Sequence, residues 1–470
     1  MTRTAAGAIY ARGRAATIAA LLALARRVAA LEARLAQTSQ NSSRPPSSDP
    51  PAARRPRRPP SGRRPGGQPG HPGHSRPLLP VAQVQAVVPV KPTHCGRCGA
   101  RLHGTDPTPW RHQVTEVPKV PPVVTEYQLH TLACRCGATT RAALPPGVPA
   151  GAFGPRLQAL VAVGTGVYHL SRRTLVGLFA DCFGVELALG SVTAAERAAS
   201  QALAAPVAAA HAFAQQQPVA HVDETGWCEG RRRAWLWVAA TATVTVFLVH
   251  ARRGLGAAQA LLGGFAGILT SDRWTAYSGW PLRARQLCWA HLRRHFTAFA
   301  EAPGTAGRLG RALLGETDQL FTWWHRVRDG TLAPASFRTY VSPLRQRVEA
   351  LLWLGSQCRH APTAATCRGI LLLAPALWTF VRVPGVEPTN NAAERALRPG
   401  VLWRKGSFGS HSPTGSRFAE RMLTVAATLK QQRRNIVDYV THACAAALCN
   451  DPAPSLLPAV VTHGDRQKAA

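Results

Sequence analysis

Three acidic segments of the chain carry the side chains best suited to metal-dependent chemistry. They are HVDETGW (221–227) with Asp223, GILTSD (267–272) with Asp272, and TNNAAERALRP (389–399) with Glu394. Hard divalent cations prefer oxygen ligands, and two such ions about 3.5–4 Å apart can activate an attacking oxygen and stabilise a leaving one. Two strand-end aspartates and a helical glutamate would suit a two-metal phosphoryl-transfer site, although a single aspartate after a strand is more often a turn residue.

The residues around these carboxylates predict the elements that would position them. An apolar run leads into 221–227, residues 235–250 predict two strands rich in β-branched and aromatic residues, and 267–272 predict another strand. The third acidic segment begins with N-cap residue types and continues with helix formers. Asp223 and Glu224 are neighbours, and successive strand residues point to opposite faces, so only one of them can face the metals.

The net charge indicates the class of partner. The chain has 470 residues, 46% of them apolar, which is ordinary for a globular protein of about two to four domains. A formal net charge of +33 is not ordinary. It predicts DNA or RNA as the partner, because neutralising phosphates releases condensed counterions. An arginine-rich composition can also reflect a GC-rich genome, and charge alone leaves that explanation open.

The cysteine content predicts a reducing compartment. Four of the eleven cysteines lie between 95 and 136 and the others are scattered, and the odd total argues against a disulfide framework. We therefore expect a cytoplasmic protein, and the expected nucleic-acid partner adds that it is associated with the nucleoid. The sequence has no run of 18 or more apolar residues, so we expect no transmembrane helix and no membrane partner.

Two cysteine pairs, Cys95 with Cys98 and Cys134 with Cys136, predict a tetrahedral Zn²⁺ site in a ribbon of strands. The second pair has C-x-C spacing instead of C-x-x-C, and this tighter spacing could distort the site or let a histidine replace one sulfur. The histidines available for this are His94, His103 and His130. The ribbon could bind DNA or serve only as a structural staple.

The N-terminal region predicts a helix followed by a basic arm. Apolar residues at steps of three and four form one seam, which suits a short coiled coil between subunits or a helix packed on its own domain. The seam residues are Ile18, Leu21, Leu24, Val28, Leu31 and Leu35. Residues 37–80 are rich in Pro, Gly, Ser and Arg and cannot bury enough apolar surface to fold alone. They form a solvated linker or a disordered arm that binds DNA phosphates through Arg54, Arg55, Arg57 and Arg58.

Residues 151–215 predict helices. Two of them, separated around 184–190, resemble a helix-turn-helix in which 191–203 is the recognition helix and Ser171 and Ser191 are N-caps. A plain helical linker to the following domain is the alternative.

Basic and aromatic residues near the three carboxylates are candidate DNA contacts. Arg231, Arg232 and Arg233 would lie in a turn near Asp223, unless the hairpin is merely solvated. Trp227 could stack on an unpaired base or be buried in the core. The remaining basic candidates are His291, Arg293, Arg294, His295, Arg395, Arg398, Arg404 and Lys405. For Arg398 the alternative is a simple salt bridge with Glu394.

From about residue 20 to 445 the chain resembles the DDE transposases of the insertion sequence 66 family. The motifs that carry the resemblance are NSSRPPSSDP (41–50), GGQPGHPG (66–73), the paired cysteines, FGPRLQALVAVGTGVYHLSRRTLVGLFADCFGVELALGSV (153–192), HVDETGW, SDRWTAY (271–277), CWAHLRRHF (288–296), TNNAAERALRP and FGSHSPTGSRFAERMLTVAATLKQQRRNIVDYV (408–440). The resemblance implies an RNase H-like core in which Asp223, Asp272 and Glu394 bind Mg²⁺ or Mn²⁺, with Asp223 selected over Glu224. It also implies that the zinc ribbon binds DNA.

The expected fold class is a multidomain α/β protein with an RNase H-like catalytic core. The expected domains are a helical or coiled-coil segment (1–40), a disordered basic linker (41–85), a zinc ribbon (86–145), a helix-turn-helix-like domain (146–215), the DDE catalytic domain (216–448) and a disordered tail (449–470). A stretch of about 296–385 separates Asp272 from Glu394, and it is too long for a loop, so we expect a helical insertion there. The closing helix is expected at 416–448.

These features together imply a DNA transposase that binds the element ends and catalyses metal-dependent DNA cleavage and strand transfer. Its expected partners are the terminal repeats of the element, target DNA, further copies of itself in a homo-oligomer, and accessory proteins of the same element. Two other functions stay open. One is a catalytically inactive DNA-binding remnant, and the other is an RNase H-like nuclease that cuts without joining.

Overall fold

The computed structural model describes residues 2–38, 42–44, 70–71 and 76–458. The chain divides into two compact units, one formed by 1–53 with 122–470 and the other by 54–121. The arginines proposed for the basic arm, Arg54, Arg55, Arg57 and Arg58, lie outside the described residues. No helix in the described ranges combines the length and apolarity needed to cross a membrane.

The described residues form an α/β structure of seven strands and fifteen α-helices. The strands are β1 (Thr131–Ala133), β2 (Thr139–Arg141), β3 (Val219–Glu229), β4 (Arg232–Ala240), β5 (Thr245–His250), β6 (Ile268–Ser271) and β7 (Arg285–Leu287). The helices are α1 (Arg3–Tyr10), α2 (Arg14–Leu35), α3 (Pro155–Gly166), α4 (Arg172–Phe183), α5 (Leu189–Ala202), α6 (Ala204–Gln215), α7 (Leu255–Leu262), α8 (Trp289–Glu301), α9 (Gly304–Arg328), α10 (Pro334–Ser356), α11 (Ala361–Leu371), α12 (Thr379–Arg382), α13 (Asn391–Ser407), α14 (Pro413–Gln431) and α15 (Ile436–Cys449). Short 3₁₀ helices occur at Val81–Gln83, Thr275–Tyr277, Leu282–Ala284 and Ala374–Leu377.

A five-stranded mixed sheet organises the larger unit. Its strand order is β5-β4-β3-β6-β7. Strands β3, β4 and β5 form an antiparallel meander, because short turns connect them, and β6 and β7 then run parallel to β3. Alternation along the strands gives each face its own core. Trp237 and Ala239 pack in the cluster that includes α6 and α7, whereas Leu236 and Val238 pack against α13 and α14.

Helix α14 closes the free edge of β5 with side-chain acceptors. Three alternate strand N–H groups that would otherwise face outwards each donate to a residue of this helix. The pairs are Thr245 with Thr428 at 3.1 Å, Phe247 with Thr424 at 3.0 Å, and Val249 with Glu420 at 2.5 Å. Residues four apart share one helix face, so their spacing matches the outward N–H groups of a strand. The helix therefore takes the hydrogen-bonding place of a further strand and blocks edge-to-edge pairing.

The helices between Asp272 and Glu394 form a core of their own. Trp289, Phe296 and Trp378 are buried there with side chains from α9, α10 and α11. The region predicted as an inserted helical stretch is therefore helical, although its first helix already begins at Trp289. Its aromatic residues serve packing.

The sequence suggested that Asp223 lies at the end of a strand, but the structure places it inside one. Strand β3 continues to Glu229 because its outer half still pairs with β4. Only the parallel pairing with β6 stops, and it stops at His221. Asp223 thus lies just beyond the last residue of β3 that pairs with β6.

Some predicted helix ends also need correction. Ser171 caps α4 by accepting from the N–H of Thr174 at 3.1 Å, but Ser191 lies inside α5, whose first residue is Leu189. The predicted closing helix is two helices, α14 and α15, because Arg433 between them adopts a left-handed φ of 55°.

The end of the described chain is packed rather than disordered. Leu456 is only 1% exposed, and the Tyr439 hydroxyl donates to the carbonyl of Pro454 at 2.8 Å. The side chain of Gln432 donates to the carbonyl of Leu456 at 3.0 Å. The expectation of a disordered tail from 449 is therefore wrong for residues up to 458.

The segment around the cysteines contains fewer strands than a ribbon would have. Within 86–130, all of which the structure describes, the backbone pairing is a single bridge between His94 and Arg101. Prolines explain this, because each removes a backbone donor from any ladder. They are Pro89, Pro92, Pro107, Pro109, Pro118, Pro121 and Pro122. The hairpin of β1 and β2 follows directly after this segment.

The apolar seam of α2 is exposed in the structure. All six of its residues, Ile18, Leu21, Leu24, Val28, Leu31 and Leu35, have at least 45% of their surface in solvent. Such a face suits pairing with another chain, and self-association through α2 stays a prediction.

Glu420 makes the stability of this fold depend on pH. Burial raises its pKa from an ordinary 4.5 to about 7, although the Val249 N–H and Arg417 lower it. A carboxyl whose pKa is raised by folding favours the unfolded state once it ionises. The free energy of unfolding should therefore fall as pH rises from about 4.5 to about 7.

We expect Glu420→Gln to keep the acceptor oxygen and to remove this pH dependence. At pH 8 the variant should exceed the wild type in unfolding free energy by up to about 3 kcal/mol, and near pH 4 the two should be equal. Denaturant unfolding at both pH values measures this. Glu186→Gln, an exposed site on the same unit, is the control and should behave as the wild type does. A Glu420→Gln profile that parallels the wild type would contradict the prediction.

Candidate functional site

The strand register places Asp223 beside Asp272. Strands β3 and β6 are parallel neighbours, and His221 pairs with Thr270 at the end of their ladder. Two residues further in the same register, Asp223 lies opposite Asp272. Adjacent strands are about 4.8 Å apart, and paired residues point to the same face. The two carboxylates therefore project together from one edge of the sheet.

Glu394 approaches the same face from helix α13. Ala393 and Leu397 of this helix pack in one cluster with Val238, which is the β4 partner of Asp223. Glu394 lies in the first turn of the helix. The charges of Asp272 and Glu394 both act on Asp223. The charges of the three carboxylates predicted from separate segments thus interact, although their oxygens do not all lie within 4.8 Å of one another.

A buried amide fixes the helix that carries Glu394. Asn390 precedes α13 and is fully buried, and its side-chain N–H donates to the carbonyl of Val222 at 2.7 Å. Its backbone N–H donates to the sulfur of Cys288 at 3.1 Å. Asn390 was predicted only as an N-cap type, but its side chain does not cap the helix. It instead joins the start of α13 to the residue next to Asp223.

The site concentrates negative charge around Asp223, although Arg294 lies near Glu394 and the guanidinium groups of Arg273 and Arg285 interact with Asp272. Burial, together with the charges of Glu224, Asp272 and Glu394, raises the pKa of Asp223 well above its ordinary value of 3.8. His221 cannot compensate, because burial lowers its pKa to about 4 and leaves it neutral at neutral pH. An arrangement of this kind is satisfied by a divalent cation, whose charge lowers the pKa of carboxyl ligands.

Glu224 faces away from this cluster and has its own partners. It accepts from Nε of Arg253 at 2.8 Å and from the hydroxyl of Tyr277 at 2.5 Å, and its side chain is almost fully buried. Burial raises its pKa. This placement agrees with the alternation argument that only one member of the acidic pair faces the site.

Two residues that the sequence analysis did not group with the triad lie against Glu394. The sulfur of Cys288, a ring nitrogen of His291 and an oxygen of Glu394 all lie within 4.8 Å of one another, and in the described part of the chain they are the one such group of metal-ligand types. The separation between His291 Nδ1 and Glu394 Oε1 is 3.6 Å. Both of these atoms are buried and lack a hydrogen-bond partner. The C-x-x-H spacing in CWAH was the sequence signal that could have found them.

The ring of His291 is held by a basic neighbour. Arg294 approaches its Nε2 at 3.2 Å and the Glu394 carboxylate at 3.9 Å. An arginine can only donate, so Nε2 accepts and the proton of the neutral ring lies on Nδ1, on the side of Glu394. His291 and Arg294 therefore lie against Glu394, and the alternative considered for Arg398, a salt bridge with Glu394, does not form.

Three other residues that were predicted to contact DNA have partners within the protein. Arg293 forms an ion pair with Asp318 of α9, on the other side of α8 from Glu394. NH1 of Arg404 donates to the carbonyl of Gly226 at 2.6 Å, so this arginine supports β3. Trp227 is buried and its indole N–H donates to Ser410, so neither face of its ring is free to stack on a base.

Six further basic residues differ in their distance from the carboxylates. Arg395, Arg398 and Lys405 are exposed on α13. The hairpin with Arg231, Arg232 and Arg233 connects β3 to β4 at Glu229. It lies about 20 Å along the strand from Asp223 at about 3.4 Å per residue. The prediction that this turn sits near Asp223 is therefore wrong.

The two cysteine pairs lie in different compact units, and each forms a tight turn. In the smaller unit, the Cys95 N–H donates to Ala100 at 2.8 Å, and hydrogen bonds from the backbone N–H groups of Arg97 and Cys98 lower the pKa of the Cys95 thiol. In the larger unit, the backbone N–H of Cys136 does the same for Cys134. Amides that stabilise a thiolate are suited to metal binding. The four-cysteine Zn²⁺ site stays a prediction.

Comparison with known proteins settles the family. A family model described as Transposase IS66 family matches residues 150–418, more than half of the chain. The chain belongs to this family. The matched range contains Asp223, Asp272 and Glu394 and ends within α14.

Two other similarities are more limited. A family of unknown function, DUF6444, matches residues 11–77. A protein of Sinorhizobium fredii, "Uncharacterized protein y4qI", is 28% identical over 233 residues, which are 45% of this chain and 43% of that protein. The chain therefore spans less than half the length of that relative in this match. The cysteine pairs lie outside both family matches, so the IS66 transposase assignment rests on the helical region and the sheet.

The charge distribution of this IS66 family site predicts a response to divalent cations. Saturating Mn²⁺ should raise the unfolding free energy of the wild type, by about 2.7 kcal/mol at a hundred times the dissociation constant. Asp223→Asn removes one member of the repelling cluster, so without the cation it should be more stable than the wild type at neutral pH, and it should lose most of the Mn²⁺ effect. Thermal unfolding with and without Mn²⁺ measures both.

Asp181→Asn, at an exposed position of α4, is the matched control and should keep the full Mn²⁺ effect. If Asp223→Asn instead retained that effect, or if it were less stable than the wild type without the cation, the carboxylates would not form a cation site.

Proposed function

We propose that this chain is a DNA transposase that cleaves the ends of an insertion sequence and transfers the freed strand to target DNA. The observation that carries the proposal is the convergence of Asp223, Asp272 and Glu394 on one face at the edge of the sheet. Membership of the Transposase IS66 family agrees with it. The net charge of +33 favours a polyanionic substrate.

The strand arrangement supports an RNase H-like core. Three antiparallel strands are followed by two that run parallel to the first, and the first strand lies at the centre of the sheet. In this arrangement the central strand and its parallel neighbour present their acidic residues side by side. The helices between β7 and α13 then separate the second aspartate from the glutamate in sequence, while α13 returns to the same face.

The protein's side chains would contribute to the reaction by positioning the cations. Bound Mg²⁺ or Mn²⁺ would supply charge stabilisation at the scissile phosphate and make water, and later a 3′-hydroxyl, a stronger nucleophile. Asp223 and Asp272 would hold one end of the cation site and Glu394 the other. His291 and Arg294 would keep the Glu394 carboxylate turned toward it, since a ligand that is oriented before binding loses less entropy.

Basic residues on α13 would bind the DNA backbone next to the site. Arg395 and Arg398 are exposed one and four residues after Glu394, so a phosphate bound by them would lie close to the carboxylates. The exposed seam of α2 would join subunits, and the cysteine pairs would bind Zn²⁺ in a module that contacts DNA. Accessory proteins of the same element are further proposed partners.

The catalytic proposal predicts a sharp separation of binding from chemistry. Asp223→Asn, Asp272→Asn and Glu394→Gln should each lower cleavage and strand transfer by at least about a hundredfold, the cost of losing one electrostatic contact to a transition state. Binding of the element ends should stay within a few-fold of the wild type. Labelled DNA with the flanking ends, incubated with Mg²⁺ or Mn²⁺, reports cleavage and joining together.

Asp181→Asn is again the control and should cut and join normally. Substantial cleavage by any triad variant would contradict the assignment. A wild type that cuts without joining would instead identify an RNase H-like nuclease, and one that only binds the ends, even with accessory proteins added, would identify an inactive remnant.

The zinc proposal is tested by elemental analysis. The purified chain should contain one Zn²⁺, and Cys98→Ser and Cys136→Ser should each lose most of it, because a tetrahedral site with three thiolates binds more weakly. Cys182→Ser, at an exposed cysteine outside the two pairs, should keep it. Full zinc content in both variants would exclude a four-cysteine site, and loss in Cys98→Ser alone would point to a histidine in place of Cys136.

A further inference from the structure

Arginine and tryptophan side chains alternate in a row that ends at Trp274, two residues after Asp272. The guanidinium of Arg253 lies 4.9 Å from the ring centroid of Trp235 and 4.3 Å from that of Trp274, so it contacts both rings. Arg233 lies over the Trp235 ring at 4.8 Å. Arginines over tryptophan faces at such distances are attracted by the ring quadrupole. We call these four residues the Arg–Trp stack.

Trp274 is held in one orientation at the end of the Arg–Trp stack next to the site. Its backbone N–H donates to a carboxylate oxygen of Asp272 at 2.8 Å, and its indole N–H donates to the carbonyl of Arg253 at 2.9 Å. Arg253 in turn is fixed by the buried Glu224 at 2.8 Å. The polar edge of the indole is therefore already satisfied by the protein.

What Trp274 offers to solvent is an apolar aromatic surface. It is 38% exposed, whereas Trp227, Trp237 and Trp289 are almost fully buried. A rigid aromatic ring with arginines around it is the combination that proteins use to stack single-stranded nucleic acid, because every base has a π-face and the cations bind the backbone. Its backbone hydrogen bond to Asp272 ties Trp274 to the proposed carboxylate site.

We propose that Trp274 stacks on an unpaired nucleobase of the DNA strand whose phosphate is bound at the carboxylates. This inference rests on the proposed function and adds to it the part of the substrate that is recognised: single-stranded or frayed DNA at the cleavage position. Arg233 of the stack and the exposed Arg252 would bind the backbone of the same strand. Duplex DNA, whose bases are already stacked on each other, would not use this surface.

The test uses the full chain without divalent cations and a single-stranded 20-nucleotide DNA that contains 2-aminopurine, a base whose fluorescence falls when it stacks. Wild type should quench this fluorescence on binding. Trp274→Ala should bind the oligonucleotide about 5- to 150-fold more weakly, the measured range for one base–aromatic stack, and should lose the quenching. Trp274→Phe should keep most of both, and a duplex of the same length should bind equally well to all variants.

Trp353→Ala is the matched control, because Trp353 is a 59% exposed tryptophan on α10; it should bind as the wild type does. Absence of quenching in the wild type would overturn the proposal whatever the variants do. So would wild-type binding by Trp274→Ala, or an equal loss on single-stranded and duplex DNA that Trp274→Phe fails to restore.

Glu394→Gln separates this inference from the catalytic proposal. The substitution leaves the Arg–Trp stack intact, so quenching should persist in a variant that no longer cuts. Quenching without cleavage in the wild type would contradict the proposed reaction and support the stacking site. Cleavage without quenching would support the proposed reaction and contradict the stacking site.

Discussion

The geometry of the candidate site depends on one buried amide. Asn390 donates through its side chain to the carbonyl of Val222 and through its backbone to the sulfur of Cys288. These two bonds tie three segments that are far apart in sequence: the centre of the sheet, the start of the helical insertion and the start of α13. Because a buried amide without a partner costs free energy, each bond also favours the arrangement of the whole region. The position of Glu394 relative to Asp223 follows from this contact.

The electrostatic free energy of the same region is unfavourable, and the rest of the fold must offset it. Asp223 is buried among like charges, and the neighbouring histidines His221 and His295 are neutral because burial lowers the pKa of each to about 4. Sheet, insertion core and α14 together supply the packing that keeps these carboxylates close. Unfavourable electrostatic interactions of this kind are typical of functional sites that bind a ligand.

Local sequence patterns were enough to predict β3 to β6 and the acidic segments, but not β7. A segment rich in β-branched and aromatic residues identified β4 and β5, and the apolar run before Asp272 identified β6, because these signals depend only on near neighbours. The strand register and the position of α13 depend on contacts between distant residues. They explain why Asp223, thought to end a strand, lies inside one, and why the hairpin arginines lie far from it. His291 was predicted as a DNA contact, and only its distance to Glu394 revealed the other role.

Other differences have equally physical causes. Prolines between the cysteine pairs remove donors, so the predicted ribbon has few strands. Trp227 and Trp274 are both near acidic motifs in the sequence, and burial alone distinguishes the packed ring from the exposed one. Arg404 shows the same limit, since nothing in its sequence context indicates that it supports the backbone of β3.

The side-chain ladder of α14 bears on how the chain folds during synthesis. Strand β5 ends at His250 and α14 begins at Pro413, about 160 residues later. At about 5–20 residues per second, a ribosome needs roughly 10 to 30 seconds to make the chain between them. Throughout that interval the outward N–H groups of Thr245, Phe247 and Val249 have no helix to bind. A nascent or truncated chain therefore exposes a strand edge that the complete one covers, and it is then that contact with another unfinished copy would lead to aggregation.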